Sequence, residues 1–143
     1  MSKALIIYLS KKGTTKYFGH NIADYLKEKG VECDIKSLHD TQPQDVNGYN
    51  LILLGCWTHG LFIAFQHPEK QWQKFAKQLP ALDGSKLALF TTYKIATGSM
   101  FRKMKQGLGK NGEKVQLTLK AKSEKINDAH KALLDNFISS KSA

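Results

Sequence analysis

Acidic residues are scarce in this chain: twelve Asp and Glu face twenty-two Lys and Arg, a formal net charge of +10 at pH 7. Cysteine is scarcer still. Cys33 and Cys56 are the two thiols, without CxxC or metal-type spacing, which excludes a disulfide framework or a zinc ribbon and leaves buried thiols. No apolar run approaches the ~20 residues that cross a bilayer. The N-terminus passes straight into a strand pattern without the charged, apolar and small-residue blocks of an export signal, so the expected location is the cytoplasm. Helix-turn-helix, zinc-finger and RRM signatures are missing too. The lysines, dense after Arg102, therefore read as a solvated basic face that steers acidic partners or an anionic surface, and not as a nucleic-acid footprint.

A hydrophobic fraction of 41% over 143 residues suits one domain with a proper core, expected to span 1–143. Ala4–Leu9 is apolar throughout, as a strand covered on both faces should be. Behind it Tyr17, Phe18, Ile22, Tyr25 and Leu26 recur at helical spacing, as for one buried face, up to a stop at Gly30. Val31–Leu38 alternates like an edge strand, and a short helical turn is expected around Gln44, Asp45 and Val46. Leu51–Gly55 is the most apolar run and the expected central strand, breaking at Cys56. A helix from about Pro68 to Leu79, a buried strand over Lys86–Thr92 and a helix from about Ser99 to Leu108 follow. After a turn at 109–112 come a strand over Val115–Leu119 and a last helix over Lys125–Ile138. Strands alternating with helices imply an α/β fold, a doubly wound parallel sheet of five strands in a three-layer sandwich, with order 2-1-3-4-5.

In such folds ligands sit outside the carboxyl ends of the strands, near the switch point. The first of those ends is Ser10-Lys11-Lys12-Gly13-Thr14-Thr15, a hydroxyl-rich loop running directly into a helix. A helix start presents unpaired N–H groups and the positive end of its dipole, which suits a phosphate. The competing reading is a plain βα turn with Thr14 or Thr15 as N-cap. The tips after the third and fourth strands, Cys56-Trp57-Thr58-His59-Gly60 and Thr92-Tyr93-Lys94 through Gly98, also carry hydroxyls, aromatics or glycine. That convergence favours a phosphate-bearing ligand.

Receiver domains need an acidic pair after the first strand and an Asp ending the third; here stand Ser10-Lys11-Lys12 and Cys56. The G-x-G-x-x-G and G-x-x-x-x-G-K-[ST] patterns are also absent. Over nearly its whole length the chain resembles the flavodoxin family. Ser10 to Thr15 matches the phosphate loop [ST]-x-[ST]-G-x-[ST] except at Lys12, and Gly55 to Gly60 matches the second loop at Gly55, Thr58 and Gly60. Trp57 stands where proline is usual and His59 where the stacking aromatic is usual. The resemblance implies FMN, its phosphate on the N–H groups from Lys11 to Thr15 with the Ser10, Thr14 and Thr15 hydroxyls and the Lys12 ammonium. The ring would lie between Trp57 or His59 and Tyr93, its polar edge on backbone of Thr58, His59 and Gly60. Cys56, Thr92, Lys94 and Gly98 complete the expected cofactor-binding set; no catalytic or metal residue is expected.

Three roles follow from the resemblance. The first is an electron carrier whose partner is an acidic redox protein or a small acceptor, because the family is typically acidic and this chain is basic. The second is a small flavin oxidoreductase acting on a quinone or porphyrinogen-like substrate, with the apolar stretch Leu61-Phe62-Ile63-Ala64-Phe65 as a substrate or peripheral membrane contact. The third is a binding module that has lost FMN. Lysines at Lys11, Lys12, Lys16 and Lys94 imply a less negative second reduction step than acidic relatives have.

Overall fold

A computed structural model of the chain describes residues 2–58 and 67–140. Five parallel strands, β1 (Lys3–Leu9), β2 (Glu32–Ser37), β3 (Leu51–Trp57), β4 (Lys86–Thr92) and β5 (Val115–Ala121), form one sheet in the order β2-β1-β3-β4-β5. Four helices, α1 (Thr14–Glu28), α2 (Lys70–Lys77), α3 (Met100–Gly107) and α4 (Asp128–Ser139), cover it.

The period-two alternation of a strand decides which face each side chain joins. In β1, Ala4 and Ile6 pack with Phe18, Ile22 and Leu26 of α1 and with Leu134 and Phe137 of α4. The intervening Leu5, Ile7 and Leu9 pack with Trp72 and Phe75 of α2 and with Met100 and Met104 of α3. Two cores on one sheet make the sandwich, and each buried Leu or Ile contributes about 1.5–3 kcal/mol relative to exposure. The edge strands β2 and β5 alternate in burial, whereas β4 is buried at every position.

Gly55 and Phe90 are paired across β3 and β4. A Cβ at Gly55 would lie inside the Phe90 ring, so the glycine is there to let that ring cross the strand. At the other end of β4, the Lys86 ammonium donates to the carbonyls of Phe137 (2.9 Å) and Ile138 (2.8 Å), satisfying the last turn of α4. Burial lowers its pKa from the ordinary 10.5.

The order of elements agrees with the expectation from sequence; several boundaries do not. β3 continues through Cys56 to Trp57, because both side chains suit a buried strand and nothing there breaks pairing. The helix expected from Lys125 begins at Asp128, capped by Asn127, whose side chain accepts the His130 N–H at 2.8 Å while His130 Nδ1 accepts the Asn127 N–H at 3.1 Å. The turn at 109–112 is a 3₁₀ segment over Gly109–Lys114, and the expected helical turn covers Pro43–Val46. Tyr17, expected on the buried face of α1, is exposed. No helix among the described residues is long and apolar enough to cross a membrane.

Candidate functional site

Strand register sets the site. Leu9 is level with Cys56 and Cys56 with Thr91, so Ser10, Trp57 and Thr92 lie together at the carboxyl edge. Hydroxyls then tie the tips to one another. The Thr15 and Thr92 hydroxyls meet at 2.6 Å, and those of Thr58 and Thr91 at 2.8 Å. Thr91 donates to the Cys56 carbonyl at 2.6 Å, and the Thr58 N–H donates to the Thr92 carbonyl at 3.0 Å. The three loops singled out in the sequence therefore meet.

The first loop ends in Gly13, the N-cap of α1, at φ 97, a left-handed conformation that favours glycine. The cap is thus Gly13 and neither Thr14 nor Thr15, as a plain turn would have it. Ser10 Oγ accepts the Gly13 N–H at 3.0 Å, and the Tyr17 ring lies against the glycine. No side chain caps the helix, and the first helical bond runs from Tyr17 N–H to Gly13 carbonyl. The N–H groups of Thr14, Thr15 and Lys16 consequently have no acceptor among the described residues. Three donors at the positive end of a helix dipole form an anion seat. The Thr15 hydroxyl does not belong to it: Thr15 is buried and holds Thr92 instead, so only its N–H is on offer.

Lysines gather around this seat. Lys12 lies close enough to Lys94 of the third loop for the two like charges to repel, which lowers the Lys94 pKa, with Lys11 adding to it. Lys11 Nζ lies 5.0 Å from the Trp57 ring centroid. Among the described residues, none of Lys11, Lys12 and Lys94 forms an ion pair. Positive charges crowded together without a carboxylate fit a dianion.

The two aromatics singled out in the sequence stand at the tips of β3 and β4. Trp57 is half-buried, packed against the α2/α3 core and facing Lys11. Tyr93 is half-buried, held by its N–H to the Ala121 carbonyl at 3.1 Å, with Lys122 Nζ 5.8 Å from its ring centroid. Cys56 differs from the expectation. Its thiol is fully buried in the α2/α3 core and accepts the Glu69 N–H at 3.5 Å, so the side chain faces away from the tips. Gly98, at φ 50, is exposed in the turn before α3. His59 and Gly60, like the apolar stretch 61–65, lie outside the described residues.

Thr91 and Lys122 are site residues that sequence reasoning passed over. The available signal for Thr91 was a hydroxyl directly behind the apolar run 87–90, which must find a partner once buried. Among the described residues, no group of His, Cys, Asp and Glu could hold a metal.

Both thiols are protected. Desolvation pushes Cys56 to about 12 and Cys33 to about 11, from an ordinary 9.0. A raised thiol pKa in the folded state stabilises the fold fully below pH 9.0, and that contribution fades as pH climbs toward about 12. The native protein is expected to resist a disulfide reagent such as DTNB at about pH 8 and to yield both thiols on unfolding. Rapid native reaction of Cys56 would contradict its burial.

The flavodoxin-domain family profile matches residues 5–131. Flavodoxin from Maridesulfovibrio salexigens is 36% identical over 61 residues, a match spanning 42% of this chain and 42% of that relative's length. Two-electron reduced Megasphaera elsdenii flavodoxin superimposes with a TM-score of 0.80 at 26% identity, over 96% of this chain and 99% of the other. Oxidised Flavodoxin 1 from Bacillus cereus shares the fold, with a TM-score of 0.72 at 20% identity over 99% of this chain and 100% of that one. With the profile extending from β1 into α4 and the same sheet order beneath it, this chain belongs to the flavodoxin family.

Proposed function

We propose that the chain binds FMN across its three strand tips and serves as an electron carrier. The observation that carries this reading is the anion seat: three N–H groups at the start of α1 without acceptors among the described residues, with Lys12 in the same loop and Lys94 near enough to Lys12 for their charges to repel. FMN bound there supplies one- and two-electron transfer. The chain's part is to hold and tune it. The Thr14, Thr15 and Lys16 N–H groups, the Ser10 and Thr14 hydroxyls and the Lys11, Lys12 and Lys94 ammoniums receive the phosphate. Trp57 and Tyr93 flank the ring, with backbone of Thr58 along its polar edge. Thr92 and Cys56 act through the hydrogen bonds that align the tips, and Gly98 lets the third loop turn into α3.

The intact donor set argues against a module that has abandoned its cofactor. Two free thiols suit a reducing compartment, which supports the cytoplasm.

Titrating apoprotein with FMN and with riboflavin, followed by quenching of flavin fluorescence, tests the assignment. FMN is expected to bind about a hundredfold more tightly, because riboflavin lacks the phosphate. Replacing Lys12 and Lys94 together by alanine should narrow that gap about tenfold and leave riboflavin affinity unchanged. Equal affinity for the two ligands in the unaltered protein would refute the phosphate seat.

A further inference from the structure

We infer that the lysine-studded rim around the strand tips is a docking surface for an acidic electron-transfer protein. The inference rests on the electron-carrier reading and adds the chemistry of the partner. Lys11 and Lys12 follow β1, Lys16 opens α1, Lys94 follows β4, and Lys122 and Lys125 follow β5. All six therefore belong to the carboxyl edge of the parallel sheet, where an electron would leave the ring.

The pairing of charges differs between the two ends of the sheet. The ion pairs among the described residues are Lys29–Asp135 and Lys114–Asp83. Lys29 precedes β2, Asp83 precedes β4 and Lys114 precedes β5, so both pairs sit at the amino edge. At the carboxyl edge the acids Asp40, Glu69, Glu124 and Asp128 pair with none of the rim lysines among the described residues. The stretch 59–66 contributes no Asp or Glu either.

Aromatic rings hold several of these ammoniums at the surface without neutralising them. Lys11 lies 5.0 Å from the centroid of Trp57, Lys16 5.5 Å from Tyr17 and Lys122 5.8 Å from Tyr93. A cation on a ring face keeps its full charge for a third party. Unpaired positive charge encircling an exit route accelerates encounter with a negative surface and lines up the two redox centres. An acidic protein uses both effects; a lipid surface or a nucleic acid would use only the charge.

The test takes rubredoxin as an acidic acceptor and mitochondrial cytochrome c as a basic one. Absorbance of the purified protein first establishes whether flavin is bound, which decides the carrier reading separately. Electron transfer from the photoreduced holoprotein is then timed by stopped flow. The rate to rubredoxin should fall at least about tenfold between roughly 20 mM and 300 mM salt, while the rate to cytochrome c holds or rises. Lys125→Glu should keep the flavin content and slow transfer to rubredoxin at low salt about threefold. Zinc-substituted rubredoxin, which accepts no electron, should shift the backbone amide signals of the rim in an NMR titration whether or not flavin is present. A salt-independent rate to rubredoxin, or faster transfer to cytochrome c at low salt, would overturn the inference. So would rim signals that move with phosphatidylserine vesicles or a single-stranded oligonucleotide and stay still with rubredoxin.

Discussion

Replacing Lys12 and Lys94 by alanine is expected to make the second one-electron reduction of bound FMN more negative by tens of millivolts per charge removed. The second electron is the one that leaves negative charge on the ring when no proton follows it, so nearby cations favour that step selectively. In this protein Lys12 and, more weakly, Lys11 lie near enough to Lys94 to lower its pKa, and no carboxylate neutralises them among the described residues. All three ammoniums are exposed, so the effect should shrink as salt rises. Equilibrium titration with reference dyes measures both steps. The unaltered protein should show a second step less negative than acidic flavodoxins do, and the double variant should approach theirs. A second potential that stays put in the variant would mean the lysines are too far from the ring to matter.

Gly55→Ala is expected to destabilise the fold by about 3 kcal/mol, the upper range for one methyl forced into a packed interior. The added Cβ would occupy space held by the Phe90 ring. That ring is fully buried and meets Phe18 edge-on at 6.0 Å between centroids, so it has little freedom to withdraw. Strain at this pair falls on β3 and β4 just before their tips, so FMN affinity should drop with stability. Urea denaturation gives the midpoint. A second substitution, Phe90→Leu, should recover part of the loss, since it removes the atoms that collide. A loss below about 0.5 kcal/mol for Gly55→Ala would show that the ring relaxes without resistance.

The fold was readable because local pattern and global packing agree along most of the chain. The mainly apolar β1, β3 and β4 and the alternating β2 and β5 point to the same sheet order that register confirms. What escaped reading involved partners distant in sequence. Gly55 matches a loop motif, yet its place is inside β3, and only the approach of Phe90 from β4 explains it. Cys56 looked like the first loop residue because Gly55 precedes it; the strand simply continues, turning its thiol inward. Lys12 and Lys94 were each legible as local charges, but their proximity belongs to the folded crossovers. The start of α4 was misplaced because Lys125 and Ile126 continue the helical spacing, whereas Asn127 and His130 supply the stop that fixes the boundary.

The threonine links also impose a direction on the hydrogen bonds at the tips. Thr91 has a single hydroxyl proton, directed to the Cys56 carbonyl, so in the contact with Thr58 the proton must come from Thr58. The Thr58 amide proton is committed as well, to Thr92. Thr58 and Thr91 therefore offer a ligand lone pairs and no free hydrogen. A heterocycle that presents an N–H toward Thr58 meets an acceptor there, whereas one that presents a lone pair finds no donor on that residue.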